Sequence, residues 1–224
     1  MGNSSVIVAR PGYIEAVRDL ATRFGIVLIF DEIITGFRVG PGGAQGYVGV
    51  TPDLCVFGKA VASGFPVAGV AGRRDLFAEV ATGRVMHAGT FNSYPPGMAA
   101  CVATLKILTD PQWDVYGTME RVGSRLLEGL QDAARMSGLE VLVQGLPMLW
   151  NTSFTSLTEI RDHADYLQAD VPALRAFLPH LVQRGVRISG RGNWMLSAAH
   201  TNEDADRTIQ AFADALEAYR ETLR

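Results

Sequence analysis

Two short apolar runs, each ending in an ionisable residue, constrain this chain more than any other feature. Ile26-Val27-Leu28-Ile29-Phe30 runs into Asp31, and Leu54-Cys55-Val56-Phe57 runs into Gly58-Lys59. Continuous apolar runs of this length read as strands covered on both faces, the pattern of parallel sheets in α/β folds. Ligands of open α/β sheets sit outside the carboxyl ends of the strands. One carboxylate and one amine are therefore delivered to the place where a ligand is expected. A buried carboxylate without a partner is costly, so Asp31 at the end of such a run asks for a cationic or proton-donating neighbour.

The surrounding pattern supports a wound α/β unit followed by a smaller α+β region. Pro11 reads as the first residue of a helix with Ile14, Val17, Leu20, Ala21 and Phe24 as its apolar stripe and Gly25 as its stop. Residues 35–49, rich in glycine, read as one long loop, and loops this long in a compact domain are usually functional. Val67-Ala68-Gly69-Val70-Ala71 reads as a further strand. Too few residues separate it from Lys59 for a crossover helix, so it should run antiparallel as the mixed edge of the sheet. Residues 74–80 and 98–108 read as helices, the second apolar all round and so buried. Residues 114–136 form an amphipathic helix closed by Gly138. The chain is expected to divide there, into 1–137 and 138–224. The remainder reads as strands at 140–143, 149–154, 185–189 and 194–198, with helices at 162–177 and from Asn202 to the end. Asn202 reads as the N-cap of that last helix.

Four words sharpen the reading: FDEIITGFR (30–38), TPDLCVFGK (51–59), SGFPVAGVAG (63–72) and HAGTFNSYP (87–95), in that order. With RGVRISGRGNWMLSAAHTNEDAD (184–206), they make the chain resemble the class III (subgroup II) aminotransferases over essentially its whole length. The glutamate-1-semialdehyde aminomutase and β-amino-acid transaminase branches are the most similar, and the likeness is to the C-terminal half of that family. The resemblance implies the α/β fold of pyridoxal-phosphate-dependent transferases of fold type I: part of the large-domain mixed sheet, then a small C-terminal α+β domain. It implies pyridoxal 5′-phosphate as cofactor, and a small-molecule amino donor with a keto or aldehyde acceptor as substrates.

The residue roles follow from the same resemblance. Lys59 is the Schiff-base lysine, a role that burial or nearby positive charge favours by lowering the pKa of its amine. Gly58 would let the cofactor ring approach the backbone. Asp31 matches the aspartate that holds the pyridine nitrogen protonated, and Ile33 the aliphatic residue packed on the ring face. Thr90 matches a threonine that reaches the cofactor phosphate of a partner subunit, so a homodimer is implied. Ile34 stands where several other branches carry Gln. Arg191 is a candidate for a substrate carboxylate through its planar fork, with Arg187 and Arg38 as competitors. His87 reads as structural, and no catalytic role is expected of His200.

Composition narrows what remains. A net charge of −3 and 19% charged residues give no support to a nucleic-acid partner. No apolar run is long enough for a membrane helix, and the opening residues lack a signal-peptide pattern. With two isolated cysteines, Cys55 and Cys101, a cytoplasmic location is expected. The histidine and cysteine spacings suit no zinc site. The alternative is a non-catalytic or split-enzyme half that needs a complementary chain, because the family's phosphate-cradling turn and ring-stacking aromatic have no counterpart in these words.

Overall fold

A computed structural model of the chain describes residues 2–224. Residues 9–113 form one compact unit, and residues 2–8 together with 114–224 form another. The division therefore falls at 113/114 rather than at the expected 137/138. The reason is the packing of α5 (Val115–Met136), whose Val122, Leu126, Leu130 and Ala133 belong to the core of the C-terminal unit.

In the unit of residues 9–113, β1 (Ile29–Glu32) and β2 (Leu54–Phe57) pair in parallel, with Ile29 beside Leu54 and Asp31 beside Val56. β3 (Gly69–Gly72) pairs antiparallel with β2, Phe57 opposite Gly69 and Leu54 opposite Gly72. The sheet order is β1-β2-β3, so the short connection after Lys59 does set a mixed edge. α1 (Tyr13–Arg23) precedes β1 and starts two residues later than expected. Its N-cap is Gly12 at φ 82°, a left-handed conformation that glycine adopts readily. Of the expected stripe only Ala21 is buried, while Leu20 and Phe24 are exposed.

The glycine-rich segment is not wholly a loop, since it contains the short helix α2 (Gly43–Val48). That turn is held by Glu32, a buried carboxylate that no sequence word singled out. Its two oxygens accept bonds from Thr35 Oγ1 at 3.0 Å, from the Ala44 and Gln45 amides at 2.5 and 3.0 Å, and from Gln45 Nε2 at 3.2 Å. The remaining helices are α3 (Arg74–Ala81) and α4 (Pro95–Thr109). α4 was expected to be buried on all sides, but Met98, Val102 and Ile107 lie exposed.

A second buried carboxylate, Asp53, ties the elements of this unit together. It accepts from the Leu28 amide at 2.8 Å, from Arg18 at 2.8 Å and from Arg73 at 2.9 Å. The Leu28 amide bond, then those from Arg18 and Arg73, hold its carboxyl well below the usual carboxylate range. Asp53→Ala leaves a backbone amide and a guanidinium unmatched and is expected to destabilise the protein by about 2–3 kcal/mol in denaturant unfolding. The depressed pKa also sets a sign. The stabilisation is complete above the unfolded value of about 3.9 and is lost as pH falls below it toward the folded value. Asp53→Asn should therefore flatten the dependence of unfolding free energy on pH below about 4; an unchanged slope would contradict this account.

In the C-terminal unit, β4 (Val141–Leu146), β5 (Leu149–Phe154) and β6 (Asn193–Met195) form an antiparallel sheet in that order. α5, α7 (Val171–Gln183) and α8 (Asn202–Thr222) supply the core with Leu130, Phe177, Leu181, Phe212 and Leu216, all 0% exposed. Trp150 and Trp194 stack across the β5–β6 pair at 5.8 Å. Three expectations fail here. Residues 162–177 are not one helix but α6 (His163–Tyr166) and the start of α7, separated where Asp170 caps α7 by accepting from the Ala173 amide. Residues 185–189 form no strand. The cap of α8 is Thr201, not Asn202, in a capping box with Asp204.

Candidate functional site

The parallel register brings Asp31 and Lys59 to neighbouring strand ends. Asp31 lies one residue before the end of β1, and Lys59 two residues past the end of β2. Asp31 is level with Val56, three residues before Lys59, so with neighbouring strands about 4.8 Å apart and a rise of about 3.3 Å per residue the two backbone positions lie on the order of 10 Å apart at the same end of the sheet. Both are exposed. Asp31 Oδ1 accepts only the Ile33 amide, at 3.0 Å, and neither residue takes part in a salt bridge among the described residues. Ile33 follows at once and is half-buried. Lys59 opens a 3-10 turn, Lys59–Ala62, and takes φ 45°, a conformation uncommon for any residue but glycine. Gly58 is extended, and a Cβ there would come no closer than 3.6 Å to its neighbours. Gly58 is buried against Val67 and Ala68, and no close contact in this unit requires it to be glycine.

Strand alternation separates two faces. Asp31, Val56 and Val70 share one face, which is bare: Val70 and Ile29 are exposed. Glu32, Cys55, Phe57 and Ala71 share the other, which floors a cavity of about 640 Å³ walled by Phe37, Gly43 and Arg73. That cavity includes neither Asp31 nor Lys59. Its floor is a structural clamp, because the Glu32 oxygens are already engaged and a side chain on Gly43 would collide with them at 2.2 Å. Burial, followed by the Glu32 charge, pushes the Cys55 thiol up, which makes it a poor nucleophile.

The other expected site residues are carried by other elements. Thr90 occupies an exposed turn between α3 and α4, closed by Asn92 N bonding to Gly89 O at 3.0 Å. Arg191 belongs to the C-terminal unit, in the tight turn joining residue 189 to β6. Thr152 N donates to Gly192 O at 2.9 Å, Asn151 Nδ2 donates to Arg191 O at 2.8 Å, and Gly192 takes φ 79°. The turn is thus anchored through its backbone, while the Arg191 side chain is exposed and enters no salt bridge among the described residues. His200 Nδ1 lies 3.1 Å from Ser197 Oγ. No group of three or more metal-capable side chains occurs among the described residues, and no helix among them is long and apolar enough to cross a membrane.

The sequence profile of the class-III aminotransferases matches residues 1–217, and the chain belongs to that family. Glutamate-1-semialdehyde 2,1-aminomutase of Desulforudis audaxviator is 38% identical over 95% of this chain and 49% of its own length. The enzyme of the same name from Pelotomaculum thermopropionicum is 38% identical over 97% of this chain and 50% of its own. Among solved structures, a β-phenylalanine aminotransferase from Variovorax paradoxus superposes with a TM-score of 0.87 at 29% identity, covering 97% of this chain and 50% of that one. The chain spans about half the length of the curated relatives it matches. The fold is that of pyridoxal-phosphate-dependent transaminases, present in part.

Proposed function

We propose that this chain carries the lysine–aspartate half of a pyridoxal-phosphate site that transfers an amino group on an amino-acid-type substrate, as a transaminase or an aminomutase. The observation that carries the reading is the placement of Asp31 and Lys59 at the same end of two adjacent parallel strands, each without a salt-bridge partner among the described residues. An acid and an amine so placed fit the two polar ends of the cofactor's reactive ring. Pyridoxal 5′-phosphate, when bound, supplies an electron sink for the substrate α-carbon. Lys59 would anchor it and afterwards carry the substrate proton, Asp31 would keep the ring nitrogen protonated, and Ile33 would pack on the ring face. Thr90 would face the phosphate of a second subunit. Two free cysteines suit a reducing compartment such as the cytoplasm. The purified chain titrated with pyridoxal 5′-phosphate should develop the visible absorbance of a lysine-linked cofactor; a chain that stays colourless, alone and with a complementary chain, would refute the reading.

A complementary chain, or a second copy, is supported by the exposed apolar surface of residues 9–113. Ile29 on the open edge of β1, with Met98, Val102 and Ile107 on α4, would be covered in a complete assembly. Light scattering at micromolar concentration should show a species larger than 24.2 kDa; a monodisperse monomer would count against it.

Arg191 is our proposal for the substrate carboxylate. Its guanidinium is exposed on a turn whose backbone is anchored, and its planar fork matches a carboxylate with two parallel bonds. Arg191→Ala should weaken carboxylate-bearing donors by about 2–3 kcal/mol, roughly 30- to 150-fold in apparent Kd, and spare simple amines. Equal losses for both donor types would make the arginine structural.

A further inference from the structure

The turn that carries Lys59 is left-handed at both ends. Lys59 sits at φ 45°, and Ser63, which closes the 3-10 turn, sits at φ 45° and ψ 44°. A side chain in this region costs about 1–2 kcal/mol per residue, so something must hold it there. α4 packs directly on this turn, and the intervening Val61 and Ala62 are buried at 3% and 0% exposure. From α4, the buried Thr104 donates its hydroxyl to Ser63 Oγ at 3.1 Å. That bond is its only side-chain partner among the described residues. A helical threonine commonly returns its hydroxyl to the carbonyl one turn back, as Thr109 at the end of α4 does to Leu105 O at 2.7 Å. Thr104 instead donates to Ser63, outside its own helix.

We infer that Thr104 is a positioning residue for Lys59: its bond to Ser63 locks the left-handed close of the turn and thereby fixes where the lysine amine starts. The inference rests on the assignment of Lys59 as the cofactor-linking amine. Thr104 touches neither cofactor nor substrate; it acts through Ser63, Ala62 and Val61. Thr104→Val keeps the shape and removes the donor, leaving Ser63 to hold a conformation its side chain disfavours. Ser63→Gly adopts the same conformation without a tether, because glycine lacks the Cβ that penalises it. The double variant Ser63→Gly/Thr104→Val should therefore behave as the unaltered protein.

The chain contains two lysines, Lys59 and Lys106, both exposed, so the second serves as an internal reference. The full chain would be incubated with pyridoxal 5′-phosphate, whose aldehyde condenses with an amine as water leaves, and the linkage fixed by borohydride reduction. The Lys59-to-Lys106 labelling ratio would be read by mass spectrometry. Thr104→Val should lower it about fivefold, the equivalent of one neutral hydrogen bond, and the double variant should restore it. Amide hydrogen exchange without cofactor is the independent readout. The Val61, Ser63 and Phe65 amides, bonded to Gly58, Ala60 and Ala62 carbonyls, should exchange faster in Thr104→Val and recover in the double variant. Unchanged exchange, unchanged labelling despite faster exchange, or no recovery in the double variant would each overturn the inference. If the unaltered chain shows no preference for Lys59, alone and with a complementary chain, the assignment of that lysine fails and the positioning role falls with it. The exchange data would then still show whether the Ser63–Thr104 bond holds the turn.

Discussion

Lys59→Ala is expected to abolish the borohydride-fixed cofactor adduct at position 59, leaving only the background at Lys106. The protein should remain folded. Lys59 is exposed and enters no salt bridge among the described residues, and the buried members of its turn are Val61 and Ala62. Removing the amine therefore deletes chemistry without deleting packing. An unchanged melting temperature with no adduct at residue 59 is the supporting result. The opposing one is equally plain: if total adduct is undiminished and maps to Lys106, the site has been assigned to the wrong strand end.

Asp31→Asn should fail differently. Asparagine keeps an oxygen for the Ile33 amide, so the local turn survives. It cannot stabilise a positive charge on a ring nitrogen as a carboxylate does. Adduct at Lys59 should persist while turnover, measured with the complementary half present, falls by about 2–3 kcal/mol, roughly 30- to 150-fold. Retained turnover would show that the carboxylate serves structure alone. Loss of the adduct together with turnover would show that it binds rather than activates. The pair of variants separates anchoring from activation.

The features read correctly from sequence are those determined locally. The antiparallel return of β3 followed from the shortness of its connection, and the parallel placement of Asp31 beside the Lys59 strand from two apolar runs with acid and amine at their ends. What escaped depends on contacts remote in sequence. α2 forms because Glu32, eleven residues before Gly43, supplies the carboxylate that its amides need, and nothing in the word GPGGAQG announces that. Glu32 itself stood unremarked beside Asp31, although two adjacent acids on a strand must face opposite ways; that alternation was the available signal. Residues 186–189 look strand-like in composition, yet only Ser189 bonds toward β6, its amide donating to Asn193 O at 3.2 Å. The apolar circumference of α4 was legible, but its cover was not, because a helix sequence records what it is built to touch rather than what is there.

The grouping of residues 2–8 with 114–224 has a consequence for the order in which that unit assembles. Ser5 Oγ lies 3.1 Å from Ser153 Oγ, Gln144 Nε2 donates to Ser5 O at 2.9 Å, and Asn193 Nδ2 donates to Gly2 O at 3.0 Å. Each of these bonds joins residues separated by more than a hundred positions, so the entropy of closing a long loop is met before any of them forms. The β4–β5 hairpin pairs residues close in sequence and needs no such closure. Residues 2–8 therefore dock onto a sheet already made, and their seating is the slow, non-local step of this unit.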